Sequence, residues 1–421
     1  MSATLAINTK VNQMIADGQS IYHLGFGEAR FPVHPKILAA FQDHATARSY
    51  LPVTGLPQLR GQIANFYRRK FQLEVDASQV IVGSGSKSLL FAAIQALVGD
   101  LLLPSPSWVS YDKQAYLTGK AVIWIPTHLT DNYCLTPASL KAGIESAKAD
   151  GQNPKILVLN SPNNPSGVMY PPKLLSALAD IAREEELIII SDEIYALTAY
   201  GDIPHISMAR YYPEGTIITG GLSKHLSLGG WRFGLAIVPP GEFGEQLYHY
   251  MAAVASNIWT TPASPVQYAA LAAYADDPEI DAYIDTCATI HGYVTRYLYN
   301  LMRVLNVPCP QPAGGFYLYP SFAPWRETLA QKHNVQTDQD LAHFLLDEEH
   351  IATLPGSTFG ADPKKLTLRL STSYLYALTD EEGEAMLSTY QENLPPNQFL
   401  QKACPKVLEV GERFRVLVES L

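Results

Sequence analysis

Cysteine is scarce in this 421-residue chain: Cys134, Cys287, Cys309 and Cys404 lie far apart, with no CxxC pair among them. That spacing offers no disulfide framework, and with no His cluster at metal-ligand spacing it offers no zinc site, so reduced thiols and no metal are expected. Long apolar runs are lacking too. No segment approaches the ~20 consecutive apolar residues of a membrane span, and the opening MSATLAINTKVNQMIADGQ has no unbroken apolar stretch of the signal-peptide kind. A soluble, unprocessed, cytoplasmic protein without membrane contact is the expectation. Runs of Lys and Arg are also missing, and acids outnumber bases 40 to 30 for a net charge of −10, which disfavours a nucleic-acid partner and favours small-molecule chemistry. There is no internal repeat and no low-complexity tract.

What is present is a large supply of core: 47% of the residues are hydrophobic, enough in a chain of this length for two bodies. Short β-branched runs alternate with segments of helical period, the pattern of a mostly parallel sheet with helices on its faces. The runs are 80–83, 101–104, 121–126, 155–160, 187–191, 216–220 and 234–239. After Pro171-Pro172, the residues Leu174, Leu175, Leu178 and Ile181 share one face of an expected helix that leads into the run at 187. From about residue 265 the pattern changes to longer helices, then a Gly/Pro-rich QPAGGFYLYP and β-like runs near 351–354 and 366–371, as for a smaller α+β domain. The stretch 402–421 reads as one extra amphipathic helix.

Three segments put polar residues directly after apolar runs. Lys224, in SKHLSLGGWRFG, follows the run at 216–220, which places it at the carboxyl end of the sheet, where open α/β folds bind ligands. Asp192 and Glu193 follow LIII, where a buried carboxylate needs a cationic or hydrogen-bonded partner. SPNNPSG displays Asn163 and Asn164 on a rigid turn after 155–160. Three such strand ends read as one site.

The motifs GFGEARF, SYLPVTGLPQLR, VGSGSKSLL, SPSWVSY, NSPNNPSG, SDEIY, LSKHLSLGGWRFG, GGFYLYP and TLRLSTS occur in this order over about residues 20–395. The chain resembles the class I/II aminotransferases of the aspartate aminotransferase superfamily, the fold type I enzymes that use pyridoxal 5′-phosphate (PLP). The resemblance implies an α/β large domain with a mostly parallel seven-stranded sheet flanked by helices, plus a smaller α+β domain. It divides the chain into an N-terminal segment 1–45 that joins the small domain, a PLP-binding domain 46–285 and a C-terminal domain 286–421. It implies that Lys224 holds PLP as a Schiff base and shuttles the substrate proton, that Asp192 pairs with the pyridine nitrogen, and that Tyr195 and Asn164 bond the 3′-oxygen. The phosphate would meet the backbone of Gly85, Ser86 and Lys87 at a helix start, together with Ser223, Arg232 and, from the neighbouring subunit of a homodimer, Tyr50. Trp108 would stack on the ring. Arg369 would grip the substrate's α-carboxylate, a task for a planar bidentate donor, with Asn164 and the amide of Gly27 nearby. GSGSK is neither a Walker loop nor a dinucleotide fingerprint.

Two departures stand out. Gly221 occupies a position where many relatives carry Ser or Thr, and GEARF replaces GEPDF, which puts Glu28 and Arg30, and with them His23, near the expected side-chain pocket. The reaction implied is transfer of the α-amino group of an L-amino acid to a 2-oxo acid by a ping-pong route. The same residues would also serve β- or γ-elimination, replacement or capreomycidine-synthase-like cyclisation of a hydroxylated guanidino amino acid.

Overall fold

All seven of the expected runs pair edge to edge in a computed structural model that describes residues 3–201 and 204–421. In chain order the strands are β1 (Tyr22–His23), β2 (Val80–Ser84), β3 (Asp100–Ser105), β4 (Val122–Pro126), β5 (Pro154–Asn160), β6 (Ile188–Asp192), β7 (Thr216–Gly221), β8 (Phe233–Ile237), β9 (Tyr317–Leu318), β10 (Ile351–Ala352), β11 (Leu354–Pro355) and β12 (Leu368–Ser371). The large sheet has the order β2-β8-β7-β6-β5-β3-β4. Strands β4, β3, β5, β6 and β7 run parallel, and β8 runs antiparallel to both β7 and β2.

This topology gathers chemistry at one edge. The register sets Asn160 beside Asp192 and Asp192 beside Thr219, so the ends of β5, β6 and β7 are level. Because β8 is reversed, its start at Phe233 lies at that same edge, opposite the end of β2 at Ser84. The residues just after β2, β5, β6 and β7 and just before β8 therefore converge.

Burial explains why these runs are strands with helices over them. β7 and β8 are buried along their whole length, as expected of strands covered on both faces. The helix Pro172–Glu184 turns Leu175, Leu178 and Ile181 inward with Leu174 at its margin, and each buried aliphatic side chain contributes about 1.5–3 kcal/mol.

The 27-residue helix Pro278–Val304 passes from one core to another. Its Ile280 and Ile284 pack with Val80, Leu235 and Ile237 of the large sheet. From Cys287 to Met302 it packs with β9, β12 and the C-terminal helices. Leu24 and Phe31 join that second core, whereas Ile37 joins the first. β1 pairs with β10, and β11-β12-β9 forms a small antiparallel sheet.

The stretch expected as one helix over 402–421 is instead a helix Pro405–Ser420 preceded by a separate helix Pro396–Ala403. Pro405 has no N–H to give and restricts Cys404 to non-helical backbone, which breaks the two apart. Among the described residues no helix is long and apolar enough to cross a membrane.

Candidate active site

At the convergent edge lies a cavity of about 470 Å³ lined by Lys224, Asp192, Arg369, Tyr195, Asn164 and Trp108, with Gly27, Ser86, Lys87, Ser223 and Arg232 also on its wall. Gly85 sits behind the wall, against Arg232. Tyr50 is 88% exposed and stands outside the cavity. Eleven of the thirteen residues expected at the site thus share one space, and Gly85 and Tyr50 do not line it.

Lys224 comes off the end of β7 and donates from Nζ to the Gly27 carbonyl at 2.7 Å. Burial lowers its amine to about 8, with Glu28 opposing that shift and the Arg369 and Arg232 charges reinforcing it. An amine so placed has an appreciable neutral, nucleophilic fraction near neutral pH. The ring of Tyr195 lies 5.5 Å from Nζ.

Asp192 ends β6 and is 3% exposed. It accepts from Tyr111 Oη at 2.7 Å, from the Ile194 amide at 3.3 Å and from Thr219 Oγ1 at 3.3 Å. Burial still carries its carboxyl up to about 6, against the pull of those three donors. Asn160 fixes the strand end from the next strand: Nδ2 donates to the Asp192 carbonyl at 2.8 Å while Oδ1 accepts from the Asn164 amide at 2.7 Å.

Arg369, on β12, is 2% exposed. Nη2 donates to the Gly25 carbonyl at 2.7 Å and Nη1 to Asn164 Oδ1 at 3.3 Å, while Nε is buried with no partner among the described residues. Among the described residues no carboxylate pairs with this guanidinium. It lies over the rings of Tyr317 and Phe359 at 4.9 and 5.2 Å, so its surroundings are apolar and its charge is uncompensated.

The opposite end of the cavity suits a phosphate. Gly85 has φ +82°, a conformation open to glycine, and begins the helix Ser86–Ala96 without a side-chain cap. A β-carbon on Gly85 would collide with the Arg232 guanidinium, so the arginine lies directly over the uncapped helix start. Lys87 Nζ sits 5.0 Å from the Trp108 ring, and burial and the Arg232 charge both lower its proton affinity. Gly221, the departure noted from the resemblance, has no room for a Ser or Thr side chain: a β-carbon there would lie 2.5 Å from the Phe233 carbonyl of β8.

Two residues escaped the sequence reading. Tyr111 reads as an ordinary core aromatic at a helix start, but its hydroxyl is the closest donor to Asp192. Tyr317, inside GGFYLYP, meets Tyr195 hydroxyl to hydroxyl at 2.7 Å. Beside the cavity, Glu28 of its wall accepts from Tyr374 at 2.7 Å, with Arg30 over the Tyr374 ring at 5.3 Å and His23 against its edge at 5.1 Å.

The titration of Asp192 carries a prediction. Between its ordinary 3.8 and about 6, the folded chain holds a proton that the unfolded chain has released. Asp192 therefore favours folding most below pH 4, and that contribution declines as pH rises through about 6. In the protein without cofactor, Asp192→Asn should remove this part of the pH dependence and melt higher than the parent above pH 6. Thermal melts from pH 4 to 8 check it; an Asn variant that melts lower throughout contradicts it.

A mostly parallel sheet that brings a buried lysine, a buried aspartate and an anion cradle to its carboxyl edge defines a fold type I PLP-dependent transferase, and the donor set fits the cofactor. The family model for aminotransferase class I and II matches residues 20–384, and the chain belongs to that family, as a PLP-dependent aminotransferase. It is 33% identical over 380 residues to the aspartate aminotransferase of Bacillus subtilis (strain 168), covering 88% of this chain and 92% of that one. To the aspartate/prephenate aminotransferase of Thermus thermophilus it is 31% identical over 365 residues, covering 86% and 89%. The solved aspartate aminotransferase from Thermus thermophilus with maleate matches at a TM-score of 0.80 and 29% identity, covering 94% of this chain and 97% of that one.

Proposed function

We propose that this aminotransferase moves the α-amino group of an L-amino acid to a 2-oxo acid, with Lys224 as the covalent anchor of PLP and the proton carrier. The observation that carries the reading is the convergence of the Lys224 amine, the Asp192 carboxyl and the unpaired Arg369 guanidinium on one cavity. PLP, when bound, supplies the electron sink that lets the substrate's Cα lose its proton. Asp192 would hold the proton of the pyridine nitrogen, steadied by Tyr111 and Thr219. The Tyr195 hydroxyl, paired with Tyr317, and Asn164 would hold the 3′-oxygen. The helix start at Gly85, Ser86 and Lys87, with Ser223 and Arg232, would hold the phosphate, and Trp108 would cover the ring. Arg369 would orient the substrate by its α-carboxylate, so that Cα stands within reach of the Lys224 amine, which takes the proton from Cα and returns one on the far side of the transfer.

A dicarboxylic substrate needs a second cation. Of the two lysines on the cavity wall Lys224 is assigned to the cofactor, which leaves Lys87, without an ion pair among the described residues, for a distal carboxylate, and relatives named for aspartate support that assignment. Lys87→Ala should raise KM for aspartate and glutamate by about 10- to 100-fold, the scale of one lost charged hydrogen bond, with much less effect on alanine. A panel of amino acids offered without an acceptor tests the reaction itself: stoichiometric 2-oxo acid and pyridoxamine phosphate are expected, and dehydrated or cyclised product without them would overturn it.

A cytoplasmic homodimer belongs to the same reading, with the exposed Tyr50 reaching the partner's phosphate. So does a division into a segment 1–45, a cofactor domain 46–285 and a C-terminal domain 286–421, a split supported by the change of core within Pro278–Val304.

A further inference from the structure

Behind Asp192, on the far face of the same strand end, lies a buried carboxylate with no place in the mechanism above. Side chains alternate along β6, so Ser191 and Glu193 point away from the cavity that Asp192 faces. Glu193 Oε1 accepts from Ser191 Oγ at 2.8 Å and from Ser207 Oγ at 2.6 Å, and Oε2 meets His205 Nε2 at 3.1 Å. Its side chain is fully buried and that of His205 nearly so. Two further groups of the described residues meet the cluster: Phe71, whose edge meets the His205 ring, and Tyr67, a buried phenol held above its ordinary range by burial first and by the Glu193 charge among lesser causes.

The second imidazole nitrogen decides the charge of this cluster. His205 Nδ1 is buried without a partner among the described residues. A protonated imidazole would leave a charged N–H unsatisfied there, whereas the neutral tautomer with its proton on Nε2 leaves only an unpaired acceptor. The neutral form is the less costly one, and its Nε2–H then donates to Glu193. Two hydroxyls and one imidazole N–H supply three donors to an ionised carboxylate, and no group in the cluster neutralises it. The charge is coupled to Asp192 by the chain itself: the Glu193 amide donates to the Thr219 carbonyl at 2.8 Å, and Thr219 Oγ1 donates to Asp192.

We propose that Glu193 is a positioning residue for Asp192: a fixed negative charge, held by Ser191, Ser207 and a neutral His205, that strengthens the grip of the site on its protons from behind the strand. It rests on the reading that Asp192 faces the pyridine nitrogen. A negative charge here favours every protonated, positively charged group on the cavity side, so removing it makes those protons leave at lower pH.

The test is a spectroscopic pH titration of the PLP-loaded protein, following the visible band of the cofactor joined to Lys224, in the parent, Glu193→Gln, Ser207→Ala and Asp192→Asn. Glu193→Gln should lower the midpoint by about 1 pH unit, the Coulombic scale of a unit charge about 10 Å away at an effective dielectric of about 20. Ser207→Ala keeps the charge and removes one donor, so it should lower the melting temperature with little movement of the midpoint. Equal melting losses in both variants with an unmoved midpoint in Glu193→Gln would make Glu193 merely structural and overturn the proposal. If Asp192→Asn moves the midpoint and Glu193→Gln does not, the proposal fails alone. If Asp192→Asn leaves both the midpoint and PLP affinity unchanged, the reading of Asp192 fails as well. Should Glu193→Gln fail to load PLP, the pH dependence of melting without cofactor replaces the band: the Asp192 inflection near pH 6 should move down, and an unmoved inflection overturns the proposal.

Discussion

Lys224→Ala should lower the rate of amino-group transfer by about 10⁴-fold or more while PLP remains bound. The size follows from losing two roles at once, the covalent anchor and the base within reach of Cα, since proton transfer by a positioned side chain alone is worth about 10²- to 10⁴-fold. Retention of the cofactor follows from the site's other end. The uncapped helix start under Arg232 and the buried Asp192 do not depend on Lys224 for their geometry. Steady-state rates with aspartate and 2-oxoglutarate, and absorbance of the dialysed variant, measure both parts. A variant that keeps a tenth of the parent rate would remove Lys224 from the chemistry. Melting should change little, because among the described residues the amine bonds to the Gly27 carbonyl alone and its burial in charged form is unfavourable.

Arg369→Met should reduce kcat/KM by about 10²- to 10³-fold, on the scale set by loss of a buried, bidentate charge pair. Most of the loss belongs in the binding of the α-carboxylate, and Arg369→Lys, which keeps the charge and loses the fork, should fall between. Stability should move the other way or not at all. A guanidinium that is 2% exposed and finds neither a partner for Nε nor a carboxylate among the described residues costs the fold rather than supporting it. If Arg369→Met melts several degrees lower while KM for the amino acid is unchanged, Arg369 is a structural residue and the site binds its substrate elsewhere.

These two residues were legible from sequence for plain reasons. Lys224 follows an apolar strand and sits between Leu222 and Leu226, so it breaks a local pattern, whereas Arg369 has polar neighbours at i±2, Thr367 and Ser371, and is singled out by the resemblance of TLRLSTS to the family's motif. The seven strands of the large sheet were legible from their composition, each containing a run of three or more apolar or β-branched residues. Partners set by topology were not. Tyr111 obeys its local pattern as a buried aromatic, and only the folding of β3 and β6 to the same edge brings its hydroxyl to Asp192. Gly25 and Gly27 give carbonyls to Arg369 and Lys224, and a carbonyl has no signature in sequence. β1 and β10 are two residues each, too short to show any period, and they find each other across more than 300 residues. The break at Cys404 was readable in principle from Pro405, but amphipathic spacing on either side masked it. His205 has no signature in the sequence, and its significance depends on the alternation that turns Glu193 away from the cavity.

The bond between Lys224 and the cofactor is tested most directly by reduction with borohydride. The PLP-loaded protein is reduced, digested and searched by mass spectrometry for a phosphopyridoxyl group. The expected result is one modified peptide, carrying the group on Lys224, with none on Lys87 and none in Lys224→Ala. Modification at another lysine, or a protein that takes up no PLP, would contradict the central claim.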